Sequence, residues 1–484
     1  MGLLRKFKPY TIKFGRQRKT PFASLALALL AAAVPAEAAK LPPPRLVRIS
    51  TDTTSTGGGA QHATEVEPDA VAVGSKVVAT FQVGRYFGGS AGAIGFSTSA
   101  NAGRAWRAGI LPSLTQTFSP PGPATAASDP VVAYDALHRR WLIATLSGFA
   151  GQTVLFVSGS SDGLSWEAPS TAISYPRNPV AGTSLDKEWM ACDNGRTSPF
   201  RGRCYLAYTD LAHDPDPQHV GSHVAVQSST DGGRSWTPPV LLTVDADVVS
   251  PGAQVVVRPD GELVVVFFED GLVEAVRSAD GGATFSQREL VSGLAFHDRP
   301  FEPTRLRAFS LPSATVDAAG AVYVAWFDCR FRARCASDDI VFSRSSAPRQ
   351  WTPPRRVPLG DVRSAVDFVL PDLAVDPQSG GARARLALTY YAVSSADCTE
   401  ANCLLDVYLV TSKTAGSRWT KPRRLNPRRM RLDWLARTTS GRMVGDYVAS
   451  VFAGRRVVSV HTQARAPRSG RFDETIHAFS LTMP

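Results

Sequence analysis

The strongest constraint in this chain is a repeat. Seven segments of the 484-residue sequence read as strand, turn, strand. Aligned on Pro68, Pro130, Trp189, Pro251, Pro312, Pro371 and Tyr447, they are spaced 62, 59, 62, 61, 59 and 76 residues apart. Units of this size cannot each bury a hydrophobic face alone and must pack against their neighbours. Runs such as VVVFF (264–268), VYVAWF (322–327) and RLALTYYAV (385–393) are rich in β-branched and aromatic residues, and glycine and proline clusters separate them. No long stretch carries a 3.6-residue apolar period. The predicted class is all-β.

In six of the seven units an aromatic turn follows the hairpin: SANAGRAW (99–106), SSDGLSW (160–166), STDGGRSW (229–236), SADGGATF (278–285), SSAPRQW (345–351) and SKTAGSRW (412–419). A further strand-like piece follows each turn, such as VLLTV from Val240. About four strands per unit is the content of one propeller blade. Within STDGGRSW, Asp231 is suited to accept backbone N–H groups, Gly233 to take a positive φ, and Trp236 to bury apolar surface between sheets. These are structural tasks, so the turns are expected to be blade parts rather than sugar-stacking platforms.

The pattern S-x-D-x-G-x-[ST]-W resembles the Asp-box, or bacterial neuraminidase repeat, of sialidase-like β-propellers. Two copies match fully, at 229–236 and 278–285, and four are degenerate. The resemblance covers about residues 45–484 and implies one propeller domain over 39–484 with the boxes on its outside. Seven units imply seven blades; six, the usual sialidase number, is the alternative. The seventh unit has three strands, near 446–452, 456–463 and 474–481, so LVRIS (46–50) is expected to supply the fourth and close the ring.

The resemblance also implies a site in which three arginines hold a carboxylate, a tyrosine attacks the sugar, and an aspartate serves as acid/base catalyst. Arg85, at the end of ATFQVGR, and Tyr447, in GDYVAS, match that pattern. Val66 stands in place of the first arginine, and the loop YFGGSAGAIGF (86–96), where the acid/base aspartate would lie, has no carboxylate. Asp328 and Arg330 of WFDCR lie two apart, on one side of an extended strand. Asp210, Glu269 and Asp270 end equivalent strands. The candidate catalytic set is therefore Tyr447, Arg85, Asp328 and Arg330. Two functions follow: recognition of a glycan or other cell-surface ligand, favoured by the two missing elements, and an exo-glycosidase with a divergent site.

Residues 1–38 read as a secretory signal peptide, with seven cations, the apolar run FASLALALLAAAV (22–34) and the small-x-small signal Ala36-Glu37-Ala38. Its removal lowers the formal charge from +11 to about +5 and with it the case for nucleic-acid binding. The six cysteines form three close pairs, 192/204, 329/335 and 398/403, expected as disulfide staples of an extracytoplasmic protein. No histidine accompanies them at zinc spacing, and His213-Asp-Pro-Asp-Pro-Gln-His219 reads as a polar loop. Residues 418–442 hold nine basic side chains and one acid within the longest inter-unit interval. They are expected near a propeller mouth, where they would attract acidic glycans. No metal or cofactor is expected, and the chain is read as a monomer.

Overall fold

The computed structural model describes residues 45–54, 59–178, 183–212, 222–243, 252–295, 297, 302 and 304–483. The described residues gather into one compact unit. The expected signal peptide and the His213–His219 loop lie outside the described residues. Those described contain no α-helix; strands dominate, with three single-turn 3-10 segments between them.

The strands form antiparallel meanders that follow the sequence repeat: unit 1 over 61–110, unit 2 over 126–176, unit 3 over 185–241, unit 4 over 254–293, unit 5 over 313–356 and unit 6 over 367–424. Each has four strands. Unit 7 has three of its own, Ala449–Ala453, Arg456–Arg468 and Arg471–Thr482. The segment Arg45–Arg48 pairs antiparallel with the last of these, Leu46 opposite Phe479 and Val47 opposite Ala478. One hydrogen-bonded sheet counts 12 strands. Its links between units are single residue pairs, Thr64 with Glu474 and Ala91 with Ala127.

The second strands explain the apolar runs. In Leu263–Glu269, Val265 and Phe267 pack on Tyr205 and Ala207 of unit 3, while Val264 and Val266 pack on Val322, Val324 and Trp326 of unit 5. Alternate side chains leave a strand on opposite faces. A strand buried on both faces therefore reads as one continuous hydrophobic run.

The first strand of each unit touches the first strands on either side, and that of unit 7 touches that of unit 1. Polar side chains join them. Val132 N–H donates to Asp69 Oδ2 at 2.7 Å, and Ala314 N–H to Gln254 Oε1 at 2.6 Å. Leu373 N–H donates to Ser313 Oγ at 2.9 Å, and Ser450 N–H to Asp372 Oδ2 at 2.5 Å.

The aromatic turns are structural. In STDGGRSW, Asp231 Oδ1 accepts the N–H groups of Arg234 and Ser235 at 2.9 and 3.0 Å, and Ser229 Oγ accepts that of Gly233 at 3.0 Å. Gly233 has φ +79°, and a Cβ there would meet Leu142 of unit 2 at 2.9 Å, so the turn is pressed against the preceding unit. Degenerate copies keep the geometry. Asn101 Oδ1 accepts from Arg104 and Ala105 at 3.1 and 2.8 Å, and Thr414 Oγ1 accepts from Arg418 at 2.9 Å. All three expected disulfides are formed, Cys192–Cys204, Cys329–Cys335 and Cys398–Cys403.

The basic segment divides in two, which corrects its expected placement at a mouth. Residues 423–431 run along the outer edge of Leu404–Ser412, anchored by buried Leu425, Met430 and Leu432. Only the short hairpin of Ala436–Thr438 and Gly441–Met443 turns inward, where Arg307 N–H donates to Arg442 O at 2.8 Å and Arg442 N–H donates to Arg305 O at 2.7 Å.

If the turn aspartate only satisfies backbone donors, Asp231→Asn leaves stability nearly unchanged, because Asn101 does the same work in unit 1. Asp231→Ala is expected to lower it by about 1 kcal/mol in urea unfolding. Equal effects of the two substitutions would refute this assignment.

Candidate functional site

A cavity of about 590 Å³ opens where the first strands of units 1, 2 and 3 meet the segments that precede the first strands of units 5 and 7. Its wall carries both signs of charge: Glu67, Asp129, Asp186 and Asp446 against Arg85, Arg177, Lys187 and Arg307. A second recess of about 300 Å³ lies along the other ends of the same first strands, lined by Asp69, Trp189, Asp372 and Ser450 among mostly apolar residues.

The charged groups reach the cavity by a repeated backbone irregularity. The first strands of units 1, 2, 3 and 6 each lose register with their second strands, between Val66 and Asp69, Ser128 and Val131, Asp186 and Trp189, and Val369 and Asp372. Each bulge holds a non-glycine residue at positive φ: Glu67 at 54°, Asp129 at 49°, Lys187 at 44° and Leu370 at 51°. Such a residue costs of order 1–3 kcal/mol. Three of the four are followed by proline, Pro68, Pro130 and Pro371. Proline has no N–H for the ladder and keeps the preceding residue out of the right-handed helical region. A bulge re-aims its side chain, and three of these four place a charge at the cavity.

Arg307 is the most heavily fixed cation. Its Nε donates to Asp446 Oδ1 at 2.9 Å while Nη2 donates to Asp446 Oδ2, a two-pronged ion pair. Nη1 reaches Ser440 Oγ at 3.2 Å, and the guanidinium lies 4.9 Å from the centre of the Phe309 ring. Arg85 is buried, with Nη1 donating to Ser90 O at 2.9 Å and Gln82 Oε1 at 3.3 Å, while its Nε has no partner. Gln82 in turn donates to Glu67. Burial, with Asp129 and Asp446 nearby, pushes the Glu67 carboxyl well above the usual range. Asp186 opens onto the cavity; crowding by surrounding protein and the charge of Asp129 push its carboxyl up to about 7.

Beneath this wall Lys187 Nζ lies 4.3 Å from the ring centres of both Trp189 and Tyr447, with no hydrogen-bond partner. Burial pulls its pKa down, against the pull of Asp129 and Glu188. Tyr447 is buried, donates to Pro130 O at 3.3 Å, and packs edge-on to Trp189 at 5.6 Å. Burial, and after it the charges of Glu67 and Asp129, push its hydroxyl well up.

Of the four sequence candidates, Arg85 lines the cavity. Tyr447 does not line it and packs against Lys187, which does. Asp328 and Arg330 are elsewhere. They pair with each other at 2.6 Å, and Arg330 also reaches Ser292 Oγ at 3.1 Å, clamping a loop of unit 5 to unit 4. Glu269 is likewise held locally, by Arg288 at 2.6 Å. Sequence reasoning missed Glu67, Asp129, Asp186, Lys187, Arg307 and Asp446. One signal was present, an acid directly before the proline of the aligned segment at Glu67-Pro68 and Asp129-Pro130.

No protein-family model matches the chain, and no curated protein matches it. Among solved structures, an ulvan lyase of polysaccharide lyase family PL25 is 12% identical, with 90% of this chain and 96% of that one covered and a TM-score of 0.50. An α-L-arabinanase from Penicillium chrysogenum, solved with arabinobiose, is 13% identical over 91% of this chain and 99% of that one, TM-score 0.46. The NanB sialidase of Streptococcus pneumoniae is 12% identical over 90% of this chain and 71% of that one, TM-score 0.42. The likeness to the ulvan lyase is one of fold, and with the four-stranded sheets it makes this an all-β propeller.

Two carboxyls near the centre set a pH dependence. Burial pushes Glu65, which is 0% exposed, and Asp69, 7% exposed, up to about 7 each. Unfolded carboxyls titrate near 4, so between about pH 4 and 7 folding takes up protons and the stability these groups supply falls as pH rises. Thermal melts should show a midpoint that declines from pH 5 to pH 8, with Asp69→Asn flattening the slope. A slope that Asp69→Asn leaves unchanged would contradict the burial of this carboxyl.

Proposed function

We propose that this protein is an exported, seven-bladed propeller that recognises a glycan in the cavity bounded by Glu67, Asp129, Asp186 and Arg307. The observation that carries the reading is the cavity itself. It is large enough for a small saccharide at about 590 Å³, and its lining includes eight charged side chains beside Leu146, Phe309 and Leu311. Such a wall offers donors and acceptors to hydroxyls, with arginine forks for a charged substituent. Ring contacts between successive first strands and the pairing of Arg45–Arg48 with unit 7 support seven blades and closure. Three disulfides, and the lack among described residues of a helix long and apolar enough to cross a membrane, are consistent with an extracellular protein. The ulvan lyase, arabinanase and sialidase are glycan-acting by name. In this reading Arg85 and Arg307 hold the ligand, and Tyr447 positions Lys187 from below.

A second reading, glycoside hydrolysis, has one observation in its favour. Asp186, pushed up to about 7, would hold a proton near neutral pH at the cavity wall, as a general acid requires. Against a tyrosine nucleophile stands the burial of Tyr447 and its raised hydroxyl pKa, since a nucleophile must reach the sugar and shed its proton.

Glycan-array binding run beside a panel of chromogenic glycosides separates the two. The expected outcome is binding without turnover, weakened about tenfold or more by Arg307→Ala. Turnover that Asp186→Asn reduces about a hundredfold would replace recognition with hydrolysis. No binding and no turnover across acidic and neutral glycans would remove the glycan reading.

A further inference from the structure

The outer edge of unit 6 carries a line of cations that the cavity does not use. The strand Leu404–Ser412 pairs on that edge first with Arg423 and Arg424, opposite Leu409 and Tyr408, and then with Met430 and Arg431, opposite Leu405 and Leu404. At about 3.3 Å per residue this ridge extends about 17 Å along the strand. Arg418, Lys421, Arg423 and Arg428 are exposed and form no ion pair with a described residue. Arg424 and Arg429 share one buried acid, Asp406, at 3.8 and 2.8 Å. Between 413 and 437 the only acid is Asp433, taken by Arg431 at 3.0 Å.

The ridge continues onto unit 7. Ala464 N–H donates to Met430 Sδ at 3.1 Å, which seats the base of the Arg456–Arg468/Arg471–Thr482 hairpin against it. That hairpin ends in exposed Arg465, Arg468 and Arg471. Asp473 sits across the hairpin from Arg465, and cations outnumber it on the surface shared by the two units; none of these residues lines the cavity.

We propose that this ridge binds an extended polyanionic polysaccharide, bearing sulfate or carboxylate groups, separately from the cavity. Arginine forks match both groups in two-pronged fashion, and a row of them along an edge strand suits a chain rather than a compact ligand. Among the described residues no large apolar side chain is exposed within 413–437 or 465–471. A membrane surface site would present an apolar wedge, and a single-stranded nucleic acid site would present exposed aromatic platforms. On the ridge Trp419 and Trp434 are half-buried against the unit 6 core, so it presents no exposed aromatic platform and no apolar wedge. The inference stands on the ridge alone and does not need the cavity to bind sugar.

The test uses the full chain with heparin as probe, and uncharged dextran, duplex DNA and phosphatidylglycerol vesicles as comparisons. Heparin binding is expected, with dextran unbound and affinity falling about tenfold or more between about 50 and about 300 mM NaCl. The triple substitution Lys421→Glu, Arg423→Glu and Arg428→Glu should weaken it at least about tenfold. The charge-matched control Arg104→Glu, Arg196→Glu and Arg201→Glu, all exposed on units 1 and 3, should change it less than about threefold. Arg307→Ala, which disables the cavity, should leave heparin binding intact. Equal losses in the ridge and control variants would reduce the effect to net charge and overturn the proposal. So would tighter binding to DNA or vesicles than to heparin. Near-UV circular dichroism checks each fold, and the single changes Arg423→Gln and Arg428→Gln, each expected to weaken binding about two- to threefold, read the ridge if the triple variant fails to fold.

Discussion

The arrangement rests on hydrogen bonds that pass between sheets rather than within them. A four-stranded meander leaves the edge of its first strand without a ladder partner, and buried N–H groups there would be costly. Asp69, Gln254, Ser313 and Asp372 supply acceptors, each reaching the backbone of the next unit's first strand. Ladder pairing between units is confined to single residue pairs, so these side chains and the apolar faces of the second strands set the order of the units.

That solution brings polar and ionisable groups into the middle of the molecule, and the cavity follows from it. The same first strands bulge at Glu67, Asp129 and Lys187, and at the first two a proline follows, with no N–H for the ladder. The first two bulges turn a carboxyl toward the cavity, and the third sends the Lys187 ammonium beneath its wall, between Trp189 and Tyr447. Close packing then raises the carboxyl of Glu67 and lowers the amine of Lys187, the pattern expected where chemistry or tight recognition occurs. Arg307 comes from a different region and is held by Asp446 and by the inward hairpin ending at Met443.

The aromatic turns and the basic segment illustrate opposite relations between pattern and place. The turns vary in residue yet keep one geometry, because Asp231, Asn101 and Thr414 each present an oxygen to the N–H four residues on, at 3.0, 2.8 and 2.9 Å. The basic segment is uniform in composition yet divides between an outer edge and a cavity mouth, because buried Leu425, Met430 and Leu432 pin one part to unit 6 while the following hairpin pairs with Arg307. Composition alone does not distinguish those two environments.

The all-β class, the unit boundaries, the four-strand content, the disulfide pairs and the structural role of STDGGRSW were all legible in the sequence. Each depends on contacts between residues close along the chain or on a period repeated along it. The strand Arg45–Arg48 was legible as well, because the seventh unit lacked one strand. The site was legible only in part. Of the expected residues, Arg85 lines the cavity, Asp328 and Arg330 clamp two units together, and Tyr447 packs against the cavity's lysine without lining the cavity itself. Glu67, Asp129, Asp186, Arg307 and Asp446 come from five segments spread over about 380 residues, and no local pattern links them. The packing of the first strands of units 1 to 3 with the segments that carry Arg307 and Asp446 brings them to a common cavity, and burial there raises the carboxyl of Glu67.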